Sequence, residues 1–332
     1  MAAARAFSEV RLINGSTGDP TLYVDYPGSD NAFLFDAGDN GRIDLERLGD
    51  LEAVFLSHHH IDHFVGFDRI IRANMDRDKT LHVFGPDGTI RKVYDRIKSY
   101  EFQFFPFQKI AVKVHDLLDG KIREALLECT RKFPPPVVTE REWIGRVIYE
   151  NADLTIEAVH VDHTVKCLAY ALAEKHGYHP DPVKLASGLL RPGQWVYESL
   201  RMLREGLPRT TELDIQGGKF TLGKLAELYF AESLGARITF VTDTMWTDEV
   251  KSRLVPLAKG AWRLYCDCYY AAAQLKSAQT HHHMIAPQAG ELAKLAKVEQ
   301  LVLIHFAPRY AGKYDQLIAE ARAVFPRVSA EM

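Results

Sequence analysis

Short apolar runs recur along the chain, each closing on a polar or charged residue, and segments with apolar positions three and four apart lie between them. Val10-Arg11-Leu12-Ile13 reads as a strand that enters the polar turn Asn14–Pro20. Thr21–Tyr26 and Ala32–Asp36 then predict a hairpin, ended by Asp36-Ala37-Gly38-Asp39. A short helix around Leu45–Leu48 precedes Ala53-Val54-Phe55-Leu56, the run of a buried strand. Phe64, Phe67, Ile70 and Ile71 fall at helical spacing. Further strands are predicted at Thr80–Phe84, Lys109–Val114, Leu154–Val159, Cys167–Leu172, Arg237–Asp243, Leu264–Tyr269 and Leu301–His305. Helices are predicted at Thr89–Tyr100, Lys121–Arg131, Val196–Arg204, Leu222–Leu234 and Pro287–Lys297.

The early hairpins argue for sheet stacked on sheet, and the later helices for outer layers. The expected fold is therefore α/β, a four-layer α/β/β/α sandwich. A doubly wound dinucleotide fold is the alternative, but no Gly-rich phosphate fingerprint follows an early strand. The chain reads as a single domain over 1–332, with insertions at about 100–150 and 175–235. Whether the second insertion is a domain of its own stays open at this point.

Composition narrows the classes. With 332 residues, 47% hydrophobic and 26% charged, the chain can bury a large core as an ordinary globular protein. A net charge of -3 gives no global basic field to attract nucleic acid. Four cysteines, Cys129, Cys167, Cys266 and Cys268, form no disulfide framework and suit a reducing compartment. No stretch approaches the ~20 apolar residues of a membrane span, and the N-terminus lacks an apolar signal region. A cytoplasmic protein with no membrane partner is expected.

The candidate chemistry sits in Ser57-His58-His59-His60-Ile61-Asp62-His63. His58, His60, Asp62 and His63 make the pattern H-x-H-x-D-H at the carboxyl end of the Ala53–Leu56 strand. Imidazoles with a carboxylate suit Zn²⁺ or a similar transition ion. Other strands also end on ligand-type residues: His163, Asp243, Asp267 and His305. Phe102, Phe104, Phe105 and Phe107 form an aromatic cluster read as core or as a subunit contact. Cys266 and Cys268 alternate within an apolar strand and read as reduced thiols rather than a thiolate metal site.

These residues resemble the metallo-β-lactamase superfamily, through His58-x-His60-x-Asp62-His63 followed by His163, Asp243 and His305. The finer resemblance is to its RNase Z-like branch, carried by Phe35-Asp36-Ala37-Gly38, His163–Tyr170, Val241-Thr242-Asp243-Thr244 and His305-Phe306-Ala307-Pro308-Arg309-Tyr310. The resemblance implies a two-metal hydrolase acting as a phosphodiesterase or ribonuclease, with a hydroxide between the ions. His58, His60 and His163 would hold one ion, Asp62, His63 and His305 the other, and Asp243 would bridge. The metal is left open between Zn²⁺, Mn²⁺ and Fe. His160 competes with His163, but His163 stands seven residues before Tyr170, as the branch's motif expects. Asp62 is placed among the catalytic residues, and Asp267 with His283 would form an acid–base relay, although the branch's histidine beside the acid is here Cys266. Arg309 could contact a substrate phosphate. The implied substrate is an anionic phosphodiester, RNA among the candidates, and a homodimer is implied because branch members are often dimers. The interval from His163 to Asp243 lacks the Gly/Pro- and Lys-rich arm with which tRNA-processing members clamp their substrate. The same centre could serve another ester, such as a lactone, thioester or sulfate ester.

Overall fold

The computed structural model describes residues 9–25, 32–102, 107–175, 177–233 and 235–331. Among these, one sheet holds eight strands in chain order: β1 (Glu9–Leu12), β2 (Leu22–Asp25), β3 (Ala32–Phe35), β4 (Leu51–Phe55), β5 (Thr80–Pro86), β6 (Ala111–Leu118), β7 (Lys121–Glu128) and β8 (Thr139–Glu142). The next strands are β9 (Val147–Glu150), β10 (Leu154–Val161) and β11 (Cys167–Glu174). Residues 177–233 follow with two small hairpin sheets, in which β12 (Gly177–Pro180) pairs with β15 (Phe230–Ser233) and β13 (Glu212–Ile215) with β14 (Gly218–Thr221). The chain ends with β16 (Arg237–Val241), β17 (Arg263–Asp267), β18 (Gln300–Ile304) and β19 (Val328–Ala330). The second large sheet runs β19-β18-β17-β16-β11-β10-β9.

Alternation along the strands sorts side chains into three apolar layers. Phe33, Phe35, Phe55 and Phe84 of the first sheet meet Ile156, Tyr170, Phe240 and Tyr265 of the second. The rings of Phe35, Phe55 and Phe84 stack in sequence, with centroids 5.0 and 5.2 Å apart. Each such buried ring contributes roughly 1.5–3 kcal/mol of transfer free energy. On the outer face of the first sheet, Val54 and Val83 pack with Phe67, Ile70 and Val93 from helices Phe67–Asn74 and Thr89–Lys98. On the outer face of the second, Val241, Leu264 and Leu303 pack with Leu254, Leu292 and Leu317 from helices Asp248–Ala258, Ala286–Ala296 and Tyr314–Arg322. The order is α/β/β/α, as the sequence pattern predicts.

Two elements differ from expectation. Lys121–Arg131 is not a helix but β7 followed by a single 3₁₀ turn at Cys129–Arg131. Asp119-Gly120 closes a hairpin, Gly120 at φ +73°, and β7 pairs with β6 along its whole length. Helix-forming residues are overruled by cross-strand pairing that buries Ile122 on one face and Ala125 and Leu127 on the other. The helix expected at Leu222–Leu234 stops at Tyr229, because Phe230–Ser233 pairs with β12; Leu234 lies outside the described residues.

The stretch at about 100–150 supplies β6–β9 to both large sheets. Within the expected aromatic cluster, Phe102 packs on Phe133 and Phe107 is exposed, whereas Phe104 and Phe105 lie outside the described residues. Residues 177–233 carry their own apolar cluster around Trp195, Leu200, Leu225, Tyr229 and Phe230. Among the described residues, no helix is long and apolar enough to cross a membrane.

Candidate metal centre

The ligand-type residues gather where strands of both sheets end. His58 and His60 follow β4, and Asp62 and His63 sit in the one-turn helix Ile61–Phe64. His163 follows β10, Asp243 follows β16, and His305 follows β18. His58, His60, His163 and Asp243 form one group whose donor atoms all lie within 4.8 Å of one another, and Asp62, His63 and His305 form another. Asp243 stands between them. Its Oδ2 is 3.7 Å from His58 Nε2, 3.5 Å from His163 Nε2 and 3.6 Å from His63 Nε2, and its Oδ1 is 2.7 Å from His305 Nδ1. Asp62 Oδ2 lies 3.4 Å from His63 Nε2 and 3.3 Å from His305 Nε2.

The second nitrogen of several rings is already committed. His63 Nδ1 pairs with Asp36 Oδ2 at 2.7 Å, His163 Nδ1 with the His282 carbonyl at 3.0 Å, and His58 Nδ1 with Ser57 Oγ at 3.0 Å. These partners fix ring orientation and, in the neutral rings of His63 and His163, favour the tautomer that bares Nε2. The Nε2 atoms of His58, His63 and His163 are buried without a hydrogen-bond partner. Unpaired buried polar atoms cost about 1–3 kcal/mol each. Several of them converging on one point fit a divalent cation, which would satisfy them together.

Electrostatics reflect the same crowding. Burial, then the charge of His63, pushes His58 down to about 2. Burial opposes protonation of His63 too, but Asp243 and Asp36 outweigh it and carry His63 up to about 10. Burial acts to raise Asp62, and the nearby rings of His305 and His63 instead hold it well below the carboxylate range.

Backbone geometry is specialised here. Asp36, His282 and His305 all adopt left-handed φ, at +57°, +55° and +61°, which side-chain-bearing residues adopt at a cost. Gly66 lies so close to the Asp36–Asp39 turn that a Cβ would stand 2.1 Å from the Gly38 carbonyl. Only a glycine lets that turn close over the Ile61–Phe64 helix.

The expected relay pair is also brought together. Asp267, at the end of β17, is fully buried, and its Oδ2 accepts the Met284 amide at 2.9 Å and lies 3.2 Å from His283 Nδ1. His283 is buried rather than part of an exposed turn, and its ring stacks on Tyr269 at 4.2 Å. Burial acts to lower its pKa, but the Asp267 charge and hydrogen bond raise it. Cys266 is buried against Met284. Arg309 is exposed, with its guanidinium 5.4 Å from the Tyr270 ring centre. His160 is elsewhere: it packs on Trp143 and faces Asp119 at 3.8 Å.

Sequence reasoning missed two residues here. Asp36 is a buried carboxylate that accepts from Ser57 N at 2.6 Å and Ser57 Oγ at 2.7 Å as well as from His63. Its place in the Phe35–Gly38 turn was the available signal. His282 pairs with Asp162 at 2.9 Å while its carbonyl holds His163, and no sequence signal distinguishes it from its histidine neighbours.

Residues 30–166 match the family described as Beta-lactamase superfamily domain. The chain is 29% identical over 322 residues to the ribonuclease Z of Deinococcus radiodurans, covering 95% of each protein. It is 27% identical over 314 residues to the ribonuclease Z of Treponema denticola, covering 89% of this chain and 84% of that one. Among solved structures, the metallo-β-lactamase-fold protein YhfI from Bacillus subtilis superposes with a TM-score of 0.55 at 17% identity, covering 96% of this chain and 93% of that one. The short form of human tRNase Z superposes with a TM-score of 0.52 at 15% identity, covering 93% and 91%.

Proposed function

We propose that this chain, a metallo-β-lactamase-fold relative of the ribonucleases Z, is a metal-dependent phosphodiesterase that acts on RNA. The observation that carries the reading is the pair of donor groups meeting at Asp243, with the His283–Asp267 pair at their edge. Two ions are assigned, one to His58, His60 and His163, the other to Asp62, His63 and His305, with Asp243 shared. Zn²⁺ is the first choice for such a set, with Mn²⁺ or Fe as alternatives. Divalent cations there would supply an activated water nucleophile and would neutralise charge on the phosphoryl oxygens.

The chain's own residues do the rest. Asp62, whose side chain is 36% exposed against 4% for Asp243, is the carboxylate open to an incoming water and can take its proton. Asp267 raises the proton affinity of His283, and Nε2 can deliver a proton to the leaving oxygen. Asp267 orients the ring through Nδ1 and is itself anchored by the Met284 amide. Arg309 is assigned to the substrate's phosphate backbone.

A substrate panel on metal-loaded protein tests this reading. It contains a bis-aryl phosphodiester, a cyclic nucleotide, a pre-tRNA, a lactone and an aryl sulfate. Turnover of phosphodiesters, with His283→Ala losing more on poor leaving groups than on nitrophenolate, is the expected result. Turnover of the lactone or sulfate alone overturns it.

A further inference from the structure

His283 borders a second concavity, a cavity of about 220 Å³. Trp246 and Met245, just past the end of β16, form part of its wall. Leu275, Ala278 and Gln279 come from helix Leu275–His281, and Gln288 from helix Ala286–Ala296. Nothing in the catalytic scheme above uses this space.

The wall is built rather than incidental. The Trp246 indole is held in place: its Nε1 donates to Glu291 at 3.0 Å, and Lys251, paired with the same Glu291 at 2.8 Å, sits 5.2 Å from the ring centre. An aromatic pinned in this way has little rotamer freedom to lose when a second ring packs on it. Gln288 spends its Oε1 on the Ile285 amide at 3.0 Å, so its NH₂ remains to donate. Gln279 adds an exposed amide, with both a donor and an acceptor. Among the described residues, no lysine, arginine or carboxylate lines the cavity.

Size, shape and charge then select the occupant. Sites for drug-sized ligands span ~300–1,000 Å³, so this one takes a single ring system, not a whole nucleotide. With no charged side chain among the described residues of its wall apart from the bordering histidine, it offers little to a phosphate or a cation. Stacking surface plus amide edges matches a neutral heterocycle with hydrogen-bonding groups on its rim. Position supplies the last constraint. On the scheme proposed above, His283 stands at the leaving oxygen, so whatever hangs from that oxygen lies beside His283 and its cavity.

We propose that this cavity is a nucleobase subsite, which stacks the base of the leaving nucleoside on Trp246 and reads its edge through Gln279 and Gln288. The proposal rests on the phosphodiesterase reading and names the substrate part that the metal centre does not.

Two measurements test it. In the first, kcat/KM is compared for a dinucleoside monophosphate and for its analogue with an abasic ribose on the leaving side. Wild type should favour the base-bearing substrate by about tenfold or more, mainly through KM, and Trp246→Ala should bring the ratio near one. Gln279→Ala, at an exposed position that folding does not depend on, should lower the ratio severalfold. Equal kcat/KM for the two substrates in wild type overturns the subsite. In the second, free nucleoside is titrated against the protein and tryptophan fluorescence is read. Saturable quenching that disappears in Trp246→Ala, with Trp143, Trp195 and Trp262 as internal reference, supports the subsite; quenching that persists in the variant, or none in wild type, rejects it. If neither phosphodiester is turned over, the functional reading falls on its own, and quenching alone decides the cavity.

Discussion

Asp36→Asn changes one atom of a buried side chain and isolates what Asp36 does for His63. The carboxylate accepts three hydrogen bonds, from Ser57 N, Ser57 Oγ and His63 Nδ1. The amide keeps an acceptor for Ser57 N and can donate to Ser57 Oγ, so two of the three contacts survive. The third does not, because an amide NH₂ in place of Oδ2 cannot accept from Nδ1. His63 must then hold its proton on Nε2, the atom that faces Asp62 and Asp243 at 3.4 and 3.6 Å. One charge-assisted hydrogen bond is lost, worth about 1.5–3 kcal/mol. If the loss falls on the metal site, affinity drops by roughly 10–100-fold, as it does for other partners of ligating histidines. The assay is competition with a chromophoric chelator, read as Kd for each ion and as ions bound per chain, beside a chemical denaturation curve without metal. The expected result is one ion weakened by that factor, with the other nearly unaffected. An unchanged Kd for both ions, with the denaturation curve intact, would refute the tautomer argument.

Two further outcomes follow from the same geometry. His163→Ala should cut kcat/KM by at least about a hundredfold while His160→Ala stays within severalfold, because only His163 faces Asp243; comparable losses in both would reverse the assignment. Burial acts to raise the pKa of Glu124, but hydrogen bonds from Arg141 and Lys113 dominate and lower it to about 2. Its contribution to stability is therefore full above the ordinary value of 4.5 and is lost as pH falls from there towards 2; the shift corresponds to about 3 kcal/mol at most, and nearer 1–2 after screening of the partly exposed Arg141 and Lys113. Urea melts of wild type and Glu124→Gln should differ at pH 7, by less at pH 3, and converge only as the pH approaches 2, and a gap that stays constant would show that the ion pairs contribute nothing.

How much of this was legible in the sequence varies with the kind of interaction. The strand-end histidines and aspartates were readable because they lie within a few residues of the end of an apolar run, where the backbone leaves the sheet, although the choice of His163 over His160 came from the motif around Tyr170. The four-layer order was readable because strand alternation and helical spacing occupy separate stretches. β7 was not, since Lys-Ile-Arg-Glu-Ala-Leu-Leu-Glu carries strong helix formers, and only pairing with β6 turns it into a strand. The support that Asp36 gives His63, and the Trp246 clamp by Glu291 and Lys251, were invisible for a related reason. Both depend on which side chains the fold brings face to face, and no local periodicity encodes that.

The donor groups straddle the two sheets, and their residues run from His58 to His305. A chain emerging from the ribosome therefore exposes His58, His60, Asp62 and His63 long before His163, Asp243 and His305 exist. The site is complete only when β18, near the C-terminus, has docked into the second sheet. On the proposed two-ion reading, tight metal capture would report that the whole molecule has assembled, and a chain cut short before His305 would hold ions poorly however well its first sheet had formed. Cation supply in the cell and the fraction of chains that finish folding are, for this architecture, coupled variables.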